Sequence, residues 1–217
     1  VVAKPSEVTP MTAYLFSKIC QKADFPKGVI NIVHGYGHKV GDALSRHPDV
    51  PIISFTGGTA TGEKIATVAA PMFKKLSLEM GGKNPNIVFE DAEFDNAVKM
   101  SAKAAFSNQG QICLCGSRLF VEESIYDKFR IAVIKETNSL KVGDPKDEKS
   151  NLGAVVSKPH MEKILRCIDD AKAEGGKILT GGNRVILEGN LKDGYYIEPT
   201  IIDGLSTNCK TNQEEIF

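Results

Sequence analysis

A cysteine in a polar, glycine-containing stretch is the residue of this chain best placed to act as a nucleophile. Cys113 lies in FSNQGQICLCGSR, residues 106–118, among amides and glycines and outside any long apolar run. A thiolate attacks a carbonyl carbon to form a covalent intermediate, and glycines such as Gly110 and Gly116 let the backbone approach the developing oxyanion. The stretch favours covalent catalysis on a carbonyl compound, with an inert, packed thiol as the alternative.

A carboxylate upstream could supply the general base for such chemistry. Residues 74–89 read KKLSLEMGGKNPNIVF, in which Leu76, Leu78 and Met80 alternate as in a strand and Glu79 stands just before a glycine pair. We expect Glu79 to be held, partly buried, at the end of that strand, where a carboxylate can accept a proton from water.

Strand-like and helix-like segments alternate around these two positions, which is the pattern of a parallel α/β sheet. The first helix should begin at Thr9 and Pro10 and bury an apolar stripe of Met11, Leu15, Phe16 and Ile19. Strands are predicted at 29–35, 51–58, 74–80, 86–89, 117–121 and 195–204, and helices at 9–25, within 35–47, and at 61–71, 94–106, 126–140 and 160–174.

The composition excludes several classes of function. Hydrophobic residues make up 41% and charged residues 25% of the 217 residues, as in a folded globular protein, and argue against disorder or membrane insertion. The formal net charge is zero, so no surface for nucleic acid or for a membrane is predicted. Five cysteines without scaffold-like spacing favour a reduced, cytoplasmic location, and neither they nor the four histidines have the spacing of a metal site.

Five ordered motifs resemble those of the aldehyde dehydrogenase superfamily. The family motif LELGGK reads LEMGGK at 78–83, and its asparagine-x-glycine-glutamine-x-cysteine motif reads NQGQIC at 108–113. KPSEVTP at 4–10, SFTGGTATG at 54–62 and EEIF at 214–217 follow the family's order. Within the family, 74–92 and ICLCGSR are most similar to the branch that oxidises muconic-type semialdehydes.

The resemblance implies an α/β fold with a parallel, Rossmann-type cofactor domain at residues 1–81, followed by an α/β catalytic domain at 82–217. It also implies that the chain is a fragment, which we expect to be inactive and poorly soluble by itself. The family's oxyanion-binding asparagine lies upstream of Val1, and the parent protein is expected to be a homodimer or homotetramer that oxidises a small aldehyde.

NAD is the cofactor that the resemblance implies, with Lys4 and Glu7 at the adenosine ribose. A carboxylate accepts a hydrogen bond from the ribose 2′-hydroxyl and repels a 2′-phosphate, which favours NAD over NADP. Gly57 and Gly58 follow a strand and open a helix, where free backbone amides can meet a pyrophosphate. Gly37 belongs to GYGHKVG, which departs by one residue from the dinucleotide-binding fingerprint, so a tight turn is its alternative explanation.

Three further positions are assigned to the cofactor by resemblance alone. Glu215 and Phe217 match residues that hold the nicotinamide ribose and ring. Lys163 falls near another ribose-contacting position, and a solvated helix lysine is an equal alternative for it.

In the implied mechanism, Cys113 forms a thiohemiacetal that becomes a thioester, and Glu79 activates the water that cleaves it. Ser107, Ile112 and Leu114 are candidates to line the aldehyde tunnel, with core packing an equal alternative for the two apolar residues. Asn108 and Gln111 should shape the cysteine loop through backbone hydrogen bonds, and Cys115 should be a packing residue.

Two other functions remain open at this point. A noncatalytic or structural derivative would keep the fold, with or without NAD binding, and would have no turnover. A cysteine hydrolase or acyltransferase would pair its thiol with a histidine, and no histidine of this sequence belongs to a recognisable dyad.

Overall fold

The computed structural model describes all 217 residues, which form two compact units, Val1–Met80 and Gly81–Phe217. We call them the N-terminal unit and the C-terminal unit. The division falls one residue before the predicted boundary at 81, and the assignment of the units to cofactor and catalytic domains stays a prediction.

The N-terminal unit alternates strands and helices as predicted, but its strands form two separate parallel pairs. Strand β1 pairs with β2, and β3 pairs with β4 in a six-residue register from Ile52↔Lys75 to Gly57↔Met80. The elements are β1 (Val2–Ala3), α1 (Met11–Lys22), β2 (Asn31–Ile32), a π-helical turn (Gly37–Gly41), α2 (Asp42–Arg46), β3 (Ile52–Gly57), α3 (Thr59–Ala69) and β4 (Lys75–Met80).

The apolar stripe of α1 is not buried, contrary to the sequence prediction. Met11, Leu15, Phe16 and Ile19 are all exposed, because no other element of the N-terminal unit covers that side of the helix. The sequence also favours Thr9 and Pro10 as the cap and first turn of this helix, but Pro10 is its N-cap residue and no side chain caps it.

The C-terminal unit contains one parallel and two antiparallel strand pairs. Strand β5 pairs in parallel with β6, in keeping with the predicted parallel α/β pattern, whereas β7 pairs with β10 and β8 with β9 in antiparallel register, which that pattern did not predict. The elements are β5 (Pro85–Val88), α4 (Phe94–Phe106), β6 (Arg118–Val121), α5 (Tyr126–Asn138), α6 (Lys158–Ala173), β7 (Lys177–Thr180), β8 (Arg184–Val185), β9 (Tyr196–Ile197), β10 (Ile201–Asp203) and α7 (Lys210–Gln213).

The core of the C-terminal unit joins β5 to α4 and α5. Val88, Val98, Phe129 and Val133 form a buried cluster, and the ring of Phe94 packs edge-on against Phe129 at 5.7 Å between centroids. This cluster fixes α4, whose C-terminal end leads directly into the segment that carries Cys113.

None of the helices combines the length and the apolar character that crossing a membrane requires.

Candidate functional site

The segment after α4 makes an unusual turn before it reaches Cys113. Asn108, Gln109 and Gly110 have φ values of 51°, 59° and 77°, all in the left-handed region. Two non-glycine residues in succession there are uncommon, because each brings its Cβ close to the backbone. Asparagine and glycine are the residue types that tolerate this conformation best, whereas nothing in the sequence pattern predicted it for Gln109.

Asn108 and Gln111 close this turn through backbone hydrogen bonds, as predicted. Asn108 Nδ2 donates to the Gln111 carbonyl at 3.0 Å, and Gln111 N donates to the Asn108 carbonyl at 3.0 Å. The Gln111 side chain also accepts from Val156 N at 2.9 Å, next to Ser157, the N-cap residue of α6. The cysteine loop is thereby attached to the start of α6.

The two cysteines of the loop lie in different surroundings. Cys113 is exposed, whereas Cys115 is only 8% exposed and its thiol donates to the Gly110 carbonyl at 3.2 Å. Burial raises the pKa of the Cys115 thiol, which keeps it protonated and unreactive. Cys115 therefore packs as predicted, and Cys113 is the accessible thiol of the loop.

Asn84, which the sequence reasoning did not single out, holds the backbone at both cysteines. Its Nδ2 donates to the Cys113 carbonyl at 2.7 Å and to the Cys115 carbonyl at 3.1 Å. No sequence signal identified it, since an asparagine before a proline is typical of any turn.

A cavity of about 470 Å³ lies within the C-terminal unit, on the side of the loop that carries Cys115. Of the three predicted tunnel residues only Ile112 lines it, and Cys113 does not. Leu114 is 81% exposed, and Ser107 is partly buried outside the cavity. The cavity therefore does not bring the predicted substrate-lining residues together around the thiol.

Lys83 lines the same cavity and is a further residue that the sequence reasoning missed. Burial lowers the pKa of its ammonium group, and the charges of Cys167, Cys209 and Glu215 oppose that shift. Glu215 and Phe217 also line the cavity.

Glu215 and Phe217 are held by two side chains of α6. The Lys163 ammonium donates to the carbonyls of Glu215 at 3.3 Å and Ile216 at 3.0 Å. His160 Nε2 lies 3.1 Å from the Phe217 carbonyl, and the two rings pack at 5.8 Å between centroids. Lys163 is therefore engaged with the backbone, which neither of its two predicted roles included.

Lys4, Glu7 and Gly37 form one cluster in the N-terminal unit. The Lys4 ammonium lies 3.3 Å from Glu7 Oε2 and donates to the Pro5 and Gly35 carbonyls at 2.7 and 3.2 Å. Glu7 Oε1 accepts from Gly37 N at 3.4 Å. Backbone N–H groups, chiefly those of Glu7 itself and Gly37, lower the pKa of the Glu7 carboxyl, so it carries its charge at neutral pH.

Gly57 and Gly58 connect β3 to the N-terminus of α3. A Cβ at Gly58 would meet nothing within 4 Å, so the approach to its backbone is open. A Cβ at Gly57 would overlap the ring of Phe55, which would have to move to admit it. The N–H groups of Thr59 and Ala60, which open α3, have no backbone acceptor, and the positive end of the helix dipole lies at this end of the helix.

Glu79 lies at the end of β4, opposite Thr56 of β3, but it is exposed rather than partly buried as predicted. Its strand buries the alternate positions Leu76 and Leu78 in part, and the face that carries Ser77 and Glu79 is not covered by any element of the N-terminal unit. No three histidine, cysteine or acidic side chains of the chain gather in a group that could hold a metal ion.

The sequence profile described as "Aldehyde dehydrogenase family" matches residues 1–217, the whole chain. The chain belongs to the aldehyde dehydrogenase family. The family predicted from the five motifs is thereby confirmed.

Curated relatives of this aldehyde dehydrogenase chain are longer than the chain itself. It is 47% identical over its whole length to 2-aminomuconic semialdehyde dehydrogenase of Mus musculus, of which it covers 45%. It is 45% identical to aminoaldehyde dehydrogenase 1, peroxisomal, of Pisum sativum, of which it covers 42%. The chain thus spans less than half the length of the curated relatives it matches.

Solved structures show the same fold. Betaine aldehyde dehydrogenase from Staphylococcus aureus in complex with NAD+ matches with a TM-score of 0.95 and 43% identity, over 99% of this chain and 42% of that one. The aldehyde dehydrogenase KauB from Pseudomonas aeruginosa matches with a TM-score of 0.95 and 42% identity, over 100% of this chain and 43% of that one. The predicted α/β aldehyde dehydrogenase fold is therefore confirmed.

Proposed function

We propose that the protein to which this chain belongs oxidises an aldehyde to a carboxylic acid with NAD as the oxidant. The observation that carries the proposal is the exposed thiol of Cys113, on a loop whose backbone is fixed from several sides, in a chain that matches the family over its whole length.

Cys113 begins the proposed reaction as a thiolate that attacks the aldehyde carbon. The resulting thiohemiacetal carries an oxyanion that the backbone N–H of Cys113 can meet, since no backbone acceptor engages that N–H. Bound NAD supplies the acceptor for the hydride that leaves the former aldehyde carbon. Loss of that hydride makes the thiohemiacetal a thioester on Cys113.

Glu79 completes the proposed cycle as general base. It takes a proton from water, the hydroxide attacks the thioester carbon, and the carboxylic acid leaves while Cys113 recovers its thiolate. Exposure of Glu79 at a strand end supports this role, because the carboxylate is open to water.

The N-terminal unit offers groups that fit NAD. Lys4 and Glu7 hold each other in place beside Gly37, and this arrangement supports their proposed contacts with the ribose hydroxyls. The open backbone at Gly58 and the N-terminus of α3 suit a pyrophosphate. Glu215 and Phe217, held by α6, are the proposed contacts for the nicotinamide half.

A muconic-type semialdehyde is the substrate class that we propose. Support comes from relatives in three vertebrates, Mus musculus, Danio rerio and Homo sapiens, which are 46% to 47% identical and are named 2-aminomuconic semialdehyde dehydrogenases. Amino-substituted aldehydes are the second candidate, because relatives named for aminoaldehydes and betaine aldehyde are 44% to 45% identical.

The test uses the complete protein that contains this chain and follows NADH absorbance with semialdehydes and aminoaldehydes. Aldehyde-dependent NADH that Cys113→Ser abolishes is the expected result. Glu79→Gln should leave the first turnover intact and accumulate an acyl-enzyme that mass spectrometry detects. Absence of NADH with every aldehyde would favour the noncatalytic derivative.

A further inference from the structure

Asn84 has a backbone that is fixed before its side chain makes any contact. It stands directly before β5, and its carbonyl accepts from Arg118 N at 3.0 Å, next to the Pro85↔Arg118 pair that opens the parallel register of β5 and β6. The position of its Cα is therefore set by the strand pairing of the C-terminal unit.

The side-chain amide of Asn84 reaches two carbonyls of the cysteine loop from that position. The Nδ2 group carries two hydrogens, and the two acceptors are the carbonyl of Cys113 at 2.7 Å and that of Cys115 at 3.1 Å. One side chain thus joins the nucleophile to the residue that packs beneath the loop.

The other bonds of the loop hold residues around Cys113 and leave Cys113 itself untouched. Cys115 N donates to the Ile112 carbonyl at 3.0 Å, Gly116 N donates to the Ala104 carbonyl at 3.1 Å, and the Cys115 thiol donates to Gly110. The backbone of Cys113 makes one hydrogen bond, the one from Asn84.

Fixing the carbonyl of Cys113 fixes the ψ angle of that residue. Because the Cβ that carries Sγ and the amide nitrogen are both bonded to the Cα of Cys113, this bond limits the directions in which the thiol and the oxyanion-binding N–H can point. Attack on a carbonyl needs both groups at defined positions relative to the substrate, and a misplacement of about 1 Å can lower the rate on the order of 100-fold.

We propose that Asn84 is a positioning residue for the nucleophile, which orients Cys113 through its carbonyl and touches neither substrate nor cofactor. The inference rests on the proposed function, in which Cys113 is the nucleophile. It separates orientation of the thiol, which depends on Asn84, from NAD binding, which does not.

Three variants of the complete protein test the inference. Asn84→Asp keeps the size of the side chain but offers the two carbonyls no hydrogen and a repelling charge. Asn84→Ala removes both bonds without a charge. Asn84→Ser retains one hydroxyl hydrogen, which can bond only one carbonyl. Of the three variants it should therefore perturb the orientation of Cys113 least.

Two rates report on the orientation of Cys113. They are the burst of NADH in the first turnover and the alkylation of Cys113 by iodoacetamide, located by mass spectrometry. We expect Asn84→Asp to slow the burst on the order of 10- to 100-fold, Asn84→Ala less and Asn84→Ser least, with the Kd for NAD within about twofold of the unmodified protein. The rate of alkylation of Cys113 should change in the same order, most in Asn84→Asp and least in Asn84→Ser.

The matched control is Asn86→Asp, at the second asparagine of the same segment. Asn86 Nδ2 donates to Ser101 Oγ at 3.1 Å, and the serine hydroxyl can donate to a carboxylate instead, so that bond survives. The burst rate of this variant should match that of the unmodified protein.

The outcomes separate the two proposals. An unchanged burst in Asn84→Asp, with Cys113→Ser inactive, overturns the positioning role alone. Turnover that survives in Cys113→Ser overturns the proposed function and the inference with it. Equal losses of burst rate, NAD affinity and thermal stability in all three Asn84 variants would mean a general structural role, which also overturns the inference.

Discussion

The carboxylate of Glu215 occupies the space beside the Cα of Gly81 in which any other residue would carry its Cβ. The φ of Gly81 is not in the left-handed region, so an added side chain there would meet the Glu215 carboxylate and no conformational strain. Glu215 is a proposed nicotinamide-side contact, and its backbone is held by Lys163. The glycine after the Glu79 strand thus makes room for a carboxylate that is remote in the sequence.

Gly81→Ala should therefore displace Glu215. The added methyl group would overlap the carboxylate, which must rotate away or shift the backbone that carries it. If Glu215 contacts the nicotinamide ribose, we expect the Kd for NAD of the complete protein to rise about tenfold, equivalent to about 1.4 kcal/mol. Fluorescence titration of NAD measures it.

Gly82→Ala is the matched control for this substitution. The nearest atom to a Cβ at Gly82 is Asn84 Oδ1 at 3.9 Å, an ordinary contact distance, so NAD affinity should be unchanged. Equal effects of the two alanines would mean that the overlap with Glu215 does not matter for the cofactor.

Local signals in the sequence predicted the helices of the C-terminal unit well. Helix α4 spans Phe94–Phe106 as predicted, because its apolar period is clear and Glu93 caps its first turn by accepting from Asn96 N. Helix α6 begins at Lys158, directly after the capping residue Ser157 and before Pro159, close to the predicted start at 160.

Features that depend on distant parts of the chain were not predictable in the same way. The exposure of the α1 stripe and of Glu79 depends on which elements cover those faces, which periodicity does not report. The antiparallel pairs β7–β10 and β8–β9 depend on chain reversal over a long connection. The bonds from Asn84, His160 and Lys163 end on carbonyls, which carry no side-chain signature in a sequence.

The difference in burial between Cys113 and Cys115 predicts different reactivity. In the complete protein, iodoacetamide should alkylate Cys113 at least about tenfold faster than Cys115, because the thiolate is the reactive form and burial disfavours it at Cys115. Peptide mapping after timed alkylation measures both rates. Faster alkylation of Cys115 than of Cys113 would mean that the assignment of Cys113 as the nucleophile is wrong.

Cys115 should also make stability fall at alkaline pH. The unfolded thiol releases its proton near its ordinary pKa of about 8.5, whereas burial raises the pKa in the folded protein. Above about pH 8.5 the unfolded chain has lost a proton that the folded chain keeps. The contribution of Cys115 to the free energy of unfolding is therefore complete below that pH and is lost as the pH rises. Urea unfolding at several pH values should show a shallower decline in Cys115→Ser, and an identical decline would contradict the assignment.

Glu7→Gln should narrow the preference for NAD over NADP. The substitution removes the charge that would repel a 2′-phosphate and releases the Lys4 ammonium, which now lies 3.3 Å from Glu7 Oε2, to meet that phosphate. We expect the ratio of kcat/KM for NAD to that for NADP to fall about tenfold or more in the complete protein. Glu63→Gln, at an exposed acidic residue of α3, is the control and should leave the ratio unchanged.

Lys163 is expected to act by holding the Glu215–Phe217 segment on α6, since its ammonium donates to the carbonyls of Glu215 and Ile216. Lys163→Met retains most of the side-chain length but offers no donor, so the segment should loosen and the Kd for NAD should rise about fivefold to tenfold. Lys163→Arg keeps a charged donor and should recover most of the affinity. Lys158→Met removes an exposed lysine of the same helix, whose Nζ lies 3.8 Å from Glu162 Oε1, and should leave the Kd for NAD unchanged. If Lys163→Met and Lys158→Met bind NAD equally well, the bonds from Lys163 to the Glu215 and Ile216 carbonyls do not matter for NAD affinity, and this prediction is wrong.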